Sequence, residues 1–323
     1  MQTPTLTDIY AARERVYRVV RPTPLLRHPL LSAETGVDIL VKHENHNPTG
    51  AFKVRGGLNL IGSLPPAERR GVITATTGNH GQSIALACSR ERVPCTIVTP
   101  VGNNPEKNAA MRALGAELIE HGEDFQASRE HAMQIARERG LHMVPSFHPL
   151  LVHGVASYSL ELMRAVPDLD VIYVPIGLGS GICGMIAARQ ALNTKAEIVG
   201  VVSDRAPAYA LSVAAHRPVE HPVTTVLSDG MACRTPERDA LKILWRHAAR
   251  VVQVSEREVA QAMRVLFAAT HNVAEGAGAA PLAAALQERE RLRGRKVAVV
   301  VSGGNVDRTV FADVLTEAAD ASL

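Results

Sequence analysis

Aromatic residues are scarce in this chain of 323 residues, at 3% with a single tryptophan. So few flat side chains leave little material for the stacking platforms that hold single-stranded nucleic acid. A block of one charge sign is missing as well. Lys and Arg number 35 against 32 Asp and Glu, a net of +3. The basic residues are scattered, so no nucleic-acid partner is expected. No apolar run approaches the roughly 18 residues that a membrane-spanning helix needs, and no membrane partner is expected. The first 20 residues carry Asp8, Arg13, Glu14, Arg15 and Arg18 where a secretion signal has an apolar stretch. The four cysteines, Cys88, Cys95, Cys183 and Cys233, form no Cys-x-x-Cys pair, which argues against a zinc site and against a disulfide scaffold. These absences describe a soluble globular chain, expected in the reducing cytoplasm, long enough for two domains or one large one.

What is present is an alternation. Short apolar, β-branched runs at 37–41, 72–75, 96–99, 117–119, 171–176, 198–202, 251–254 and 297–301 read as strands of a parallel sheet covered on both faces. Amphipathic helical patterns lie between them. Ser255 and Glu258 form a capping-box pattern ahead of a stripe of Val259, Met263, Leu266 and Phe267. Asn104 before Pro105 reads as an N-cap with proline at the first helical position. The alternation predicts an α/β fold, and such folds place ligands where strand ends lead into helix N-termini.

Four polar, glycine-rich segments meet that description. Residues 48–57 contain Gly50-Ala51-Phe52-Lys53 and precede a helical pattern. Thr76, Thr77, Gly78, Asn79 and His80 follow a strand and open a helix, as do Gly177, Leu178, Gly179, Ser180 and Gly181. Ser302-Gly303-Gly304-Asn305 follows the last strand. The third loop admits another reading: Gly179, Gly181 and Gly184 fit the glycine fingerprint of a dinucleotide site, with Asp204 placed to hold a ribose. A nicotinamide-dependent oxidoreductase is therefore an alternative, but it leaves the other three segments without a role. Taken alone, Lys53 is most simply a solvated surface lysine, and Asn79 an ordinary helix cap.

Together, in order and at these separations, the four segments resemble the fold-type II pyridoxal 5'-phosphate (PLP) enzymes. The match is to the serine/threonine dehydratase and serine racemase branch, and it runs from about Arg21 to Asp307. The resemblance implies a two-domain α/β fold like that of the tryptophan synthase β chain, with parallel-rich sheets covered by helices. Residues 1–52 plus 148–323 form the large, PLP-binding domain in this reading, and residues 53–147 a small mobile one. Lys53 carries PLP as a Schiff base and acts as base at Cα, with Phe52 beside it. Asn79 contacts the cofactor's 3'-oxygen, and the loop Gly177, Leu178, Gly179, Ser180, Gly181 holds its phosphate, with Leu178 pointing away. Ser302 faces the pyridine nitrogen. Glu275 lies near the ring, or is simply a helix-start acid. Thr76, Thr77, Gly78, Asn79 and His80 cradle the substrate carboxylate.

The implied activity is that of an ammonia-lyase which removes water and then ammonia from a β-hydroxy amino acid, leaving a 2-oxo acid. Threonine and serine are the default substrates; 3-hydroxyaspartate or phenylserine, racemisation, and a PLP-binding protein without catalysis are the alternatives. A hydroxyl at Ser302 cannot stabilise a full pyridinium charge, which favours prompt loss of a β-substituent. Thr77 stands where racemases of the branch carry serine, and its methyl crowds that face. Val202 and Ala208 stand where that branch holds a divalent cation with carboxylates, so no metal is expected. Phe147 and His148 face the substrate side chain, with His153 near, unless these histidines merely line a loop. With the sequence ending at Leu323, a regulatory domain is not expected. A homodimer is expected from the family.

Overall fold

The computed structural model describes residues 1–318; Leu323 lies outside the described residues. Ten strands are present among them: β1 (Leu25–Arg27), β2 (Ile39–His43), β3 (Val72–Ala75), β4 (Cys95–Thr99), β5 (Glu117–Glu120), β6 (His142–Met143), β7 (Val171–Pro175), β8 (Glu197–Ser203), β9 (Arg250–Val254) and β10 (Val297–Val301). They form a six-stranded sheet in the order β1-β2-β10-β7-β8-β9 and a four-stranded sheet in the order β5-β4-β3-β6. Of these pairings only β1–β2 is antiparallel. The fold is thus α/β with parallel-rich sheets, as the alternation of patterns predicts.

Side chains alternate between the faces of a strand, and the larger sheet sorts its apolar residues accordingly. Val41, Tyr173, Val199 and Val299 enter one core with the alanine-rich helix Gly276–Gln287. Leu40, Ile172, Val174, Ile198 and Val300 enter a second core with the helices Pro149–Ala165 and Ser180–Leu192. Both faces are covered, which is why these strands read as continuous apolar runs. The expectation fails at the sheet edges. β5 is exposed or half-buried throughout, and β9 is buried only at Val254, because an edge strand has a neighbour on one side alone. β1 and β6, with three and two residues, are too short to leave a periodic signal.

The caps form as the sequence predicts. The Asn104 side chain accepts from the Lys107 N–H with Pro105 first in the helix, and Ser255 and Glu258 make both bonds of the capping box. The candidate site is assembled at the ends of β3, β7 and β10. Its lysine segment is tied there by backbone: Phe52 N–H donates to Ser302 O (2.9 Å), Gly304 N–H to Gly50 O (2.9 Å), and Ala51 bridges Gly303. Gly50 has φ +67°, and a Cβ there falls 2.5 Å from Asn305 Oδ1, so this crossing admits only glycine.

Candidate active site

A cavity lies where these segments converge. Phe52, Lys53, Asn79, the run Gly177 to Gly181, Glu275 and Ser302 all line it, so every residue expected at the cofactor reaches one space. Lys53 opens the helix Lys53–Ser63, with its Nζ 5.0 Å from the centroid of the Phe52 ring. Its amine has no hydrogen-bond or ion-pair partner among the described residues. Burial lowers its pKa, and the negative charge of Glu275 opposes the shift. An amine in this state is closer to the neutral form that a nucleophile and base requires.

Glu275 precedes the helix Gly276–Gln287, but its side chain does not cap it. It is 3% exposed. Oε1 accepts from Asn79 Nδ2 at 2.7 Å, while Oε2 is buried without a partner. Burial first, then the nearby Asp229, push its pKa up to about 7; Lys107, the Asn79 bond and Lys53 pull it back. Asn79 Oδ1 in turn accepts from Asn305 Nδ2 at 2.8 Å, and the same amide donates to Thr49 O at 2.7 Å. Asn79 is therefore fixed from both sides by groups from distant segments.

The glycine loop owes its shape to contact. Gly179 has φ +99°, and a Cβ there falls 2.7 Å from the Ala240 side chain. Ser180 then opens the helix Ser180–Leu192, whose first N–H groups have no partners within the helix and suit an anion. Leu178 lines the cavity, and its carbonyl accepts from the Tyr209 hydroxyl at 2.8 Å. Gly184 serves packing instead: a Cβ there meets Ala156 N at 3.0 Å. Asp204 is exposed and does not line the cavity, so the geometry of a ribose-binding acid is absent.

The residues expected at the substrate are more dispersed. Thr76 Oγ1 accepts from Gly78 N–H at 3.1 Å, shaping the turn before the helix Asn79–Glu91, while Thr77 is exposed. His80 lines a second, smaller cavity with Lys53. Phe147 packs against the core of the larger sheet. His148 caps the helix Pro149–Ala165, its Nδ1 accepting from Leu150 N–H at 3.1 Å.

Several contributors carried no sequence signal. Lys107 Nζ reaches Asp229 at 2.5 Å with its side chain only 11% exposed, and its stem lies against Gly78. Beneath the lysine helix, Arg55 is fully buried between two carboxylates. Its Nε and Nη2 meet Glu44 at 2.7 and 2.9 Å, and Nη1 meets Glu161 at 2.7 Å. Lys42 Nζ completes the group on Glu161 at 2.6 Å. Two cations and two anions meet there, so each buried charge faces an opposite one. Position alone hinted at Arg55, two residues past Lys53, and at Asn305, at the end of the fourth glycine-rich segment; nothing singled out Glu44, Glu161 or Asp229.

The lining fits PLP. It offers a partnerless amine for the aldehyde, a hydroxyl at Ser302, a buried carboxyl with an unused oxygen at Glu275, and a loop of backbone N–H groups for the phosphate. Comparison with known proteins agrees. Residues 16–303 match the family described as pyridoxal-phosphate dependent enzymes. The chain is 36% identical over 305 residues to the L-threonine ammonia-lyase of Thermotoga maritima, covering 94% of this chain and 76% of that protein. The processed form of threonine deaminase isoform 2 from Solanum lycopersicum superposes with a TM-score of 0.91 at 27% identity, over 96% of this chain and 91% of that one. Maize serine racemase superposes with a TM-score of 0.91 at 26% identity, over 99% of both chains. The nicotinamide alternative falls, and the chain belongs to the pyridoxal-phosphate dependent enzymes, with pyridoxal 5'-phosphate as its cofactor.

Proposed function

We propose that this chain is an ammonia-lyase that dehydrates threonine or serine, with Lys53 as the cofactor lysine and catalytic base. The observation that carries the reading is the Lys53 amine itself, half-buried, without a hydrogen-bond or ion-pair partner among the described residues, and facing a cavity lined by the other three glycine-rich segments. Similarity to L-threonine ammonia-lyase and threonine deaminase supports the substrate class.

Bound PLP supplies an electron sink that acidifies the Cα–H of an attached amino acid. Lys53, its pKa lowered, takes that proton. Thr76, Thr77, Gly78, Asn79 and His80 hold the substrate carboxylate at a helix N-terminus, and Thr77 offers a hydroxyl on the face away from the lysine. Asn79, locked by Asn305 and Glu275, would hold the 3'-oxygen of the bound cofactor. The run Gly177, Leu178, Gly179, Ser180, Gly181 holds the phosphate without an arginine. Ser302 would give the ring nitrogen a neutral partner, so the bound cofactor would supply a weak electron sink, which suits loss of the β-hydroxyl as water once that oxygen has gained a proton. Phe147 and His148 border the substrate side chain; with Nδ1 engaged in the cap, His148 has only Nε2 to offer it.

The small unit, residues 53–147, closes over substrate against the large one, residues 1–52 plus 148–323, and excludes water. The enzyme works as a cytoplasmic homodimer. Ammonia and 2-oxo acid release from a panel of threonine, serine, 3-hydroxyaspartate and phenylserine tests the reading. Lys53→Ala is expected to lose release completely; turnover retained by that variant sinks the assignment, and inactivity on the whole panel points to a binding protein.

A further inference from the structure

Behind Lys53 lies the second cavity, with room for about one water molecule, with Leu151 and Val155 as apolar walls and Lys53, His80, Ser146 and Ser180 as its polar lining. His80 is 7% exposed, and its Nε2 is buried without a hydrogen-bond partner. The Lys53 amine is likewise without one, and the Ser146 and Ser180 hydroxyls make no side-chain bond to a described residue. Four polar groups with unmet hydrogen-bonding capacity thus surround one small space. An ammonium only donates, a neutral imidazole has one accepting nitrogen, and hydroxyls do both. A cavity with such partners is the setting in which buried water is held.

We propose that this cavity holds one ordered water joining Lys53 Nζ to His80 Nε2, with Ser146 and Ser180 as its other partners, and that His80 is thereby a positioning residue for the Lys53 amine. The inference rests on Lys53 being the cofactor lysine. Once substrate has taken its place on the cofactor, that amine ends a flexible four-carbon chain and still must meet Cα. The water limits its swing. When the proton arrives at Nζ, the ammonium donates to the water and the water donates to His80 Nε2. No bond at His80 breaks. His80 remains an acceptor and not a base, since burial and the charge of Lys53 push its pKa down to about 3; its single N–H then sits on Nδ1. Glu275, at the start of the helix Gly276–Gln287, is the other charged group acting on the amine, and Lys53 is the one acting on His80.

The test follows Lys53 by competitive acetylation of the full-length, cofactor-free chain across pH, read by mass spectrometry, with steady-state kinetics of the holoenzyme in parallel. In His80→Leu the Lys53 midpoint is expected to fall by about one pH unit. In the same variant kcat falls roughly tenfold while KM changes less than about twofold. His80→Gln, whose side-chain carbonyl accepts, restores both. An unchanged midpoint in folded His80→Leu, or no rescue by glutamine, overturns the proposal. If His80→Leu does not fold, a crystal structure of the cofactor-free wild type decides. A water within hydrogen-bond distance of both Nζ and Nε2 supports the bridge, and a dry cavity refutes it. Borohydride reduction of the holoenzyme with peptide mapping keeps the two readings apart. Label on another lysine sinks the assignment of Lys53 itself; label on Lys53 with an unchanged midpoint sinks the water bridge alone.

Discussion

Replacing Glu275 by Gln isolates the electrostatics of the site. In the wild type this carboxyl is buried, accepts one bond from Asn79 and leaves Oε2 unpaired. There is no slack for relaxation on the Gly303 side, since a Cβ there falls 2.4 Å from Oε1. Its pKa rises from 4.5 to about 7, chiefly through burial. A carboxyl with a raised folded pKa contributes stability that is fully present below pH 4.5 and lost as pH rises through about 7. At about 1.4 kcal/mol per pH unit, the loss across that window is ~3 kcal/mol. Glu275→Gln keeps a carbonyl oxygen for Asn79 but does not titrate. Urea-unfolding free energies of the cofactor-free wild type and variant, subtracted at each pH, therefore move by ~3 kcal/mol in the variant's favour between about pH 4.5 and 7.5. Titrating groups on which Glu275 does not act cancel in the difference; Lys53 and Lys107, on which it does, are the exceptions. Parallel curves, or movement in favour of the wild type, refute the reasoning and put Glu275 in contact with a charge or with water.

Other perturbations have equally definite outcomes. Arg55→Met leaves Glu44 without its buried cation, and a broken buried pair costs about 3–5 kcal/mol; chemical denaturation measures it, and a loss under ~1 kcal/mol contradicts the burial of the cluster. Asn305→Ala releases Asn79 on one side, and kcat/KM is expected to fall roughly tenfold with little change in unfolding midpoint; equal losses in stability and activity mark Asn305 as structural instead. Ser255→Ala removes a helix cap far from the cavity and should cost about 1 kcal/mol while kcat stays at the wild-type value. A change in kcat there would link the helix Glu256–Thr270 to the site.

Most of the α/β architecture was legible, because the physics involved is local. Strand runs at 72–75 and 297–301 coincide with β3 and β10, and both marked caps form. Failures cluster at sheet edges and in strands of two or three residues, where little burial shapes composition. At the site, local signals marked out the four glycine-rich segments; it was the resemblance of the four taken together, not any one of them, that singled out Lys53, Asn79, the glycine loop and Ser302. Local signals did not suffice for the partners. Asn79 and Glu275 are 196 residues apart, Asn79 and Asn305 are 226, and Arg55 and Glu161 are 106. No periodicity spans such separations.

The sequence by itself determined the kind of fold and the four glycine-rich segments, since strand period, capping and glycine-rich turns act within a few residues; the lysine among them stood out only through the family resemblance of the four taken together. Only the tertiary structure decided the direction of the pKa shifts and the company of those groups. Burial depth and the juxtaposition of distant chains set the lowered pKa of Lys53, the raised pKa of Glu275, the clamp on Asn79 and the unpaired Nε2 of His80. Desolvation belongs to a place in the folded molecule, and no single stretch of chain contains it.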